Sequence, residues 1–389
     1  MVKSIALLLP IYVTLMWALV FLFKRNSPIP ANKVLGYFML TASILYCSHA
    51  IYFHQFYHLY SFVDSLYLYC LLTLYPLFFA YILVLSTQEF NRKKYLLNFL
   101  PAAIIGSVSL ILNFVMSPDQ RVIYVKEILI ARNLKELDLF SVVGIKGAIF
   151  LLARIIFIAH AFIYLLLGIR MANKHNKRIN EFFSNTEGKK MNWVRNISII
   201  ILVVSMAGIV FSLIGRSYFT HKPVSLLVPS LLFSTIYFLI GFHANQQHVV
   251  TENLDETTEE KESDIVTTDG VQDVKLKTKL LNLFETEKIY THSDLRITIL
   301  CDLLQTNRTY ISRLINAEFG VNFNEFVNHY RVREAEKLLS SAENKSYTLD
   351  YIAEEVGFGT GNSFARAFKE YKGVTPGQYR KNIVQKKAI

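Results

Sequence analysis

Seven stretches in the first 242 residues are too apolar and too long to belong to the core of one soluble domain. Ser4–Phe23, Val34–Phe53, Ser65–Ser86, Tyr95–Met116, Ile197–Gly215 and Pro223–Phe242 carry no Asp, Glu, Lys or Arg, and Gly147–Ile169 is interrupted only by Arg154. A helix needs roughly 20 apolar residues to cross the hydrocarbon core of a bilayer, and each run meets or nears that length. Lys3 ahead of the first run resembles the start of a secretory signal. The apolar part is too long for one, however, and Lys24 and Arg25 stand where a small-residue cleavage site belongs. The run is read as a span. A mean hydropathy of +0.32, with 52% hydrophobic residues, agrees with a membrane class rather than a soluble one.

Charges between the runs set an orientation, because short cytoplasmic loops collect Lys and Arg. The first loop holds Lys24, Arg25 and Lys33, and the third holds Arg92, Lys93 and Lys94. The fifth holds Arg170, Lys174, Lys177, Arg178, Lys189, Lys190 and Arg195. The second loop has no Lys or Arg, and the sixth has only Arg216 and Lys222. The odd loops are therefore expected inside, the N-terminus outside and the C-terminus inside, in a multi-pass protein of the cell's inner (cytoplasmic) membrane. Seven spans close that assignment.

Ionisable groups in or beside spans are costly in hydrocarbon and usually face a bundle interior. Arg154, His160, His49 and Asp64 are thus the candidates for an intramembrane sensor site, against a structural reading in which they sit at interfaces or pair with neighbours. The fourth loop contains VIYVKEILIARNLKELDLF, an amphipathic stretch that suits an external sensor cap or an interfacial helix.

The net charge of +11 is unevenly placed. Residues 1–249 carry 22 Lys and Arg against 8 acids, residues 250–274 carry one Lys against 9 acids, and residues 275–389 carry 18 against 13. The chain is therefore divided into a membrane part (1–243), an acidic linker (244–274) and a mildly basic cytoplasmic domain (275–389). TENLDETTEEKESDIVTTDG in the linker is expected to be solvated and disordered, and its charge to hold the next domain off an anionic membrane face. Cys47 and Cys70 lie in apolar runs and Cys301 stands alone, so neither a zinc site nor a disulfide is spaced for. No catalytic constellation, metal set or cofactor fingerprint is present, and the chain is not expected to be an enzyme. GFGTGN (357–362) follows a helical pattern, not a strand, and lacks the residues of a nucleotide loop.

From Lys275 on, the pattern is all-helical. Asn307 is placed to cap a helix over RTYISRLINAEF and Gly320 to end it. On that helix Tyr310, Ile311, Leu314 and Ile315 share one face, while Thr309, Ser312, Arg313 and Asn316 share the other. Asn322 and Glu325 form a capping box into a long helix, FNEFVNHYRVREAEKLLS. The preceding DLRITILCDLL is amphipathic, so the two short helices make a helix-turn-helix. The arrangement then repeats. TLDYIAEEVGFG gives a capped short helix ending at Gly357, and GNSFARAFKEYKG follows, with Phe364, Ala367, Phe368 and Tyr371 inward and Asn362, Arg366 and Lys369 outward. Thr375 and Gln378 form a last capping box, with Pro376 at the first helical position.

The segment Ile297–Arg380 resembles the AraC/XylS-type DNA-binding domain, most specifically in IAEEVGFGTGNSFARAFKEYKGVTPGQYR and nearly as well in TNRTYISRLINAEFGVNFNEFVNHYRVREAEKLL. The resemblance covers about the last quarter of the chain. It implies two helix-turn-helix units on one long helix, each second helix entering a major groove of double-stranded promoter DNA. The family's base-reading positions fall on Thr309, Ser312 and Arg313, and on Asn362, Ser363 and Arg366. Arginine suits guanine, asparagine suits adenine and the threonine methyl suits thymine. Asn316, Lys369 and Thr375 suit phosphates. No soluble effector domain of the family precedes this part. The expectation is an all-α, membrane-embedded, one-component transcription regulator. Its seven-helix domain answers an unknown signal ligand or membrane partner, coupled either by homodimerisation in the bilayer or by reorientation of the linker, of which a flexible linker favours the first. The rival expectation is a transporter- or receptor-like protein whose tail binds a protein partner.

Overall fold

The computed structural model of the chain describes residues 2–24, 30–86, 95–131, 138, 140–214, 223–247, 270–341 and 346–387. Most of the acidic linker lies outside these residues, as do the loop bases Arg25, Arg92, Lys93, Lys94, Arg216 and Lys222. The chain folds as two units, one of Met1–Asn173 with Met191–Val249, the other of Lys174–Lys190 with Val250–Ile389.

The first unit contains α1 (Val2–Phe23), α2 (Pro30–Phe53), α3 (Tyr57–Ser86), α4 (Leu100–Val115), α5 (Pro118–Ile123, running on as a π-helix over Tyr124–Ala131), the greater part of α6 (Val142–Phe182), α7 (Asn192–Ile214) and α8 (Leu227–Gln246). Among the described residues six helices are long and apolar enough to cross a membrane, and they coincide with six of the seven expected runs. The other run, Ile197–Gly215, overlaps α7. α1 packs on α2 and α8, α2 on α3, and α3 on α4. Trp17, Phe21, Phe38, Phe78, Tyr81, Leu165 and Ile240 fill one core. The outward faces are apolar too: α1 exposes Leu8, Leu15, Leu19 and Phe23. A helix that is apolar all round has no face suited to water.

The described first half of the fourth loop, α5 with its π-helical continuation, folds back onto α3 and α4. Ser117 and Gln120 make a capping box at the start of α5, after which Tyr124, Val125, Ile128 and Leu129 are buried. Behind them lies a polar knot. The Asp64 carboxylate accepts from Tyr124 Oη at 3.1 Å and lies 3.5 Å from Lys146 Nζ. Lys146 donates to Asn113 Oδ1 at 2.5 Å and stands over the Tyr124 ring. Both charges are fully buried. Such a pair is retained only while both partners remain, because either alone is an uncompensated buried charge. Lys146→Met should therefore cost about 3–5 kcal/mol of stability in detergent. Lys146→Met with Asp64→Asn should restore most of it, as measured by thermal unfolding.

The second unit contains α9 (Gly270–Glu285), a 3-10 turn (Ile289–Thr291), α10 (Ile297–Leu304), α11 (Arg308–Phe319), α12 (Phe323–Ser340), α13 (Leu349–Glu355), α14 (Gly361–Lys372) and α15 (Pro376–Lys387). α12 holds two cores at once. Phe323, Phe326, Val327 and Tyr330 enter a cluster with Phe284, Leu300, Ile311 and Ile315. Val332, Ala335 and Leu339 enter another with Ile352, Phe358, Phe364 and Phe368.

Between the two cores sits Arg331, wholly buried. Its Nε donates to the Tyr290 carbonyl at 2.7 Å, and its Nη2 donates to the His292 carbonyl at 2.8 Å and to Ser184 Oγ at 3.1 Å. Its Cζ lies 5.6 Å from the centre of the Phe358 ring. Burial pulls its pKa down to about 9. Gly357, at φ +91°, closes the same junction, since a Cβ there would meet the Tyr290 carbonyl oxygen at 2.5 Å.

Ser184 belongs to Lys174–Lys190, the stretch between the fifth and sixth expected spans. It groups with the second unit because its apolar residues do: Ile179, Phe182 and Phe183 are buried in the first cluster. Phe183 pairs with Arg296 in an isolated antiparallel bridge, Ser184 N–H donates to the Leu295 carbonyl at 3.0 Å, and Asn324 Nδ2 donates to the Ser184 carbonyl at 2.6 Å. Arg331→Met keeps the volume but strands three acceptors, each worth about 1–3 kcal/mol when buried unsatisfied. It should lower the stability of the second unit by about 3 kcal/mol. Hydrogen exchange on the full chain will read this as lost protection along α12, with the first unit unaffected.

Candidate nucleic-acid interface

Two copies of one local design present the candidate reading helices. In the first, α10 ends at Gln305, held in the left-handed region at φ 51°, and the chain turns into α11. Asn307 caps α11 by accepting from Tyr310 N–H at 3.0 Å, and Gly320 closes it at φ +69°. Ile311, Leu314 and Ile315 are buried, so Thr309, Arg313 and Asn316 are turned out and exposed, with Ser312 half-buried. Arg313 lies with its guanidinium 5.0 Å from the Tyr310 ring, which carries it along the outer face. Asn316 spends its amide on the Ser312 carbonyl at 2.8 Å, a bond that must open before that amide meets a phosphate.

In the second copy, Thr348 caps α13 through Tyr351 N–H at 3.1 Å. The turn through Gly357 leads into α14, which starts on a reciprocal box. Thr360 Oγ1 accepts from Ser363 N–H at 3.2 Å, and Ser363 Oγ accepts from Thr360 N–H at 3.3 Å. Ser363 is thus engaged in capping, a use the sequence pattern did not suggest. Asn362, Arg366 and Lys369 are exposed on the face opposite Phe364, Ala367 and Phe368. Tyr371, expected inward, is at the exposed edge, because its hydroxyl reaches out to donate to the Glu325 carbonyl at 2.8 Å. Lys372 pairs with Glu336 of α12 at 2.5 Å, and Tyr379 of α15 donates to the same carboxylate at 2.7 Å, which fixes the far end of α14. Those bonds, Lys372 first, hold the Glu336 carboxyl below its ordinary range. At the head of α15, Gln378 N–H donates to Thr375 Oγ1 at 3.3 Å and Thr375 N–H to Gln378 Oε1 at 3.1 Å.

Six outward candidates therefore lie on the exposed faces of α11 and α14: Thr309, Arg313 and Asn316 on one, and Asn362, Arg366 and Lys369 on the other. The helix-turn-helix domain family profile matches residues 300–382, which spans both copies and α12. The C-terminal part of this chain is an AraC-type helix-turn-helix domain. It is a domain of DNA-binding transcription regulators.

Relatives of the AraC-type domain include the uncharacterized HTH-type transcriptional regulator YisR of Bacillus subtilis, 35% identical over 21% of this chain and 28% of its own length. YtdP of the same organism is 32% identical over 23% of this chain and 11% of its own. The Msm operon regulatory protein of Streptococcus mutans is 29% identical over 23% of this chain and 32% of its own. The chain thus spans a third or less of each of these relatives. Among solved structures, the C-terminal domain of the two-component response regulator yesN of Fusobacterium nucleatum matches at 32% identity and a TM-score of 0.24, over 27% of this chain and 98% of that one.

The four sensor candidates of the first unit have four different settings. Asp64 belongs to the buried knot with Lys146 and Tyr124. His160 is buried, with Nδ1 3.2 Å from the Leu72 carbonyl oxygen. His49 is half-buried among the rings of Tyr46, Phe53 and Tyr67. Arg154 is half-buried over the Phe150 ring at 5.7 Å. Lys146 has no counterpart among the sequence candidates, since it stands one residue ahead of the expected span.

On the DNA-binding unit, Arg313→Ala and Arg366→Ala should each weaken binding to a selected site by about 1–3 kcal/mol, and each should relax preference at a different base position. Lys369→Ala should weaken binding to all sequences alike and reduce the salt slope by about one. Anisotropy titrations with the full chain in detergent, against the site and its single-base variants, check both.

Proposed function

We propose that the chain is a membrane-embedded, one-component transcription regulator. Its apolar helices reside in the inner membrane and respond to a signal ligand or membrane partner, and its AraC-type domain reads promoter DNA in the cytoplasm. The single observation that carries this reading is the presence of an AraC-type domain and six membrane-length apolar helices in one chain. The loop charges support the orientation, with the DNA-binding part on the side of the basic loops. Thr309, Ser312 and Arg313 with Asn362, Ser363 and Arg366 are the base readers in this account, and Asn316, Lys369 and Thr375 meet the backbone. Arg154, His160, His49 and Asp64 are the sensing candidates. Two copies joined in the bilayer would raise the local concentration of DNA-binding domains on paired sites.

The intact protein in detergent should enrich one duplex sequence from a random pool. A tail that serves a protein partner would enrich none. For topology, in a chain freed of Cys47, Cys70 and Cys301, Phe140→Cys should react with an impermeant maleimide on intact cells, and Lys177→Cys only after permeabilisation. The opposite pattern overturns the orientation.

A further inference from the structure

Lys174–Lys190 is seated on the DNA-binding unit by Phe182, Phe183 and Ser184, and that anchor places two carboxylates at chosen points. Glu181 lies 4.0 Å from the guanidinium of Arg308, the first residue of α11. Glu187 accepts from Thr360 Oγ1 at 2.5 Å, at the N-cap of α14. Between them Asn185 presses on the turn before α14, where a Cβ on Gly359 would collide with its side-chain nitrogen. The chain then runs on to Lys190, which feels the charge of Arg366 on the outer face of α14 and those of Glu370 and Glu325; burial first, and Arg366 next, pull its pKa down.

Each carboxylate thus meets a side chain from the first turn or cap of a candidate reading helix. Such N-terminal ends favour negative charge, and they are the ends that approach the groove when such a helix docks on DNA. Arg308 and the Thr360 hydroxyl are the types of donor that a DNA phosphate uses. Glu187 occupies the Thr360 hydroxyl, Glu181 stands beside both Lys177 and Arg308, and the two negative charges oppose the DNA backbone.

We propose that Glu181 and Glu187 are internal competitors for DNA phosphates: beside Arg308 of α11 and on the Thr360 cap of α14 they hold the AraC-type domain in a state of low DNA affinity, and binding requires them to leave. The inference rests on the DNA-binding reading above. It also gives the first unit a handle on the second, since both ends of Lys174–Lys190 continue into helices of the first unit.

The test uses the full chain in nanodiscs and a duplex selected from a random pool. Glu181→Gln with Glu187→Gln should raise affinity about tenfold, with hydrogen-exchange protection of the second unit unchanged. Unchanged or weaker binding overturns the proposal, because carboxylates that only brace the fold would give that result. In a background without the native cysteines, Asn185→Cys with Gly359→Cys should lose binding on oxidation and regain it on reduction. An oxidised, cross-linked protein that binds as tightly as the reduced one overturns the proposal and leaves DNA recognition standing. Failure of the reduced protein and of the glutamine variant to select any duplex overturns the DNA-binding reading beneath it.

Discussion

The second unit depends on where the charge of Arg331 goes. A guanidinium in an apolar junction is tolerated only if its donors are met. Here two carbonyls of the 3-10 region and one serine hydroxyl meet them, from two parts of the chain far apart in sequence. The same junction is where the two apolar cores of α12 adjoin and where Gly357 admits the Tyr290 carbonyl. The positions of α11 and α14 follow from it, since each packs on a core that α12 carries.

Much of the DNA-binding unit was legible because its signals are local. Asn307, the Asn322 and Glu325 pair, Thr348 and the Thr375 and Gln378 pair announce helix starts within four residues of themselves, and all of them cap as expected. Hydrophobic spacing likewise separates Ile311, Leu314 and Ile315 from Thr309 and Arg313. What could not be read was long-range. Arg331 looks like one more charge in HYRVREAEK, and only the packing of the 3-10 turn and Ser184 makes it interior. Ser363 looks like a reader and also serves as a cap.

The membrane-length runs were equally plain, but their ends were not. Gly147–Ile169 was bounded by its charges, whereas α6 continues through Arg170, Lys174, Lys177 and Arg178 to Phe182. Helix propensity does not stop at a charge, and Ile179 and Phe182 find an apolar seat further on. In the same way Lys146 seemed to end a loop, although Asp64, Asn113 and Tyr124 take it inside. On sequence alone the acidic stretch is the tie between the two parts of the protein. The chain in fact passes between its two units at three places, after Asn173, after Lys190 and after Val249.

The chemistry chosen for the Arg331 joint also separates two responses to ionic strength. Contacts to DNA phosphates weaken steeply as salt rises, because the counterions they release gain less entropy in a saltier solution. Arg331 is buried and its partners are neutral oxygens, so mobile ions have little access to the joint and little to screen. Salt high enough to break contacts of that kind therefore leaves intact the frame that holds α11 and α14, and what salt undoes outside the unit it need not undo within.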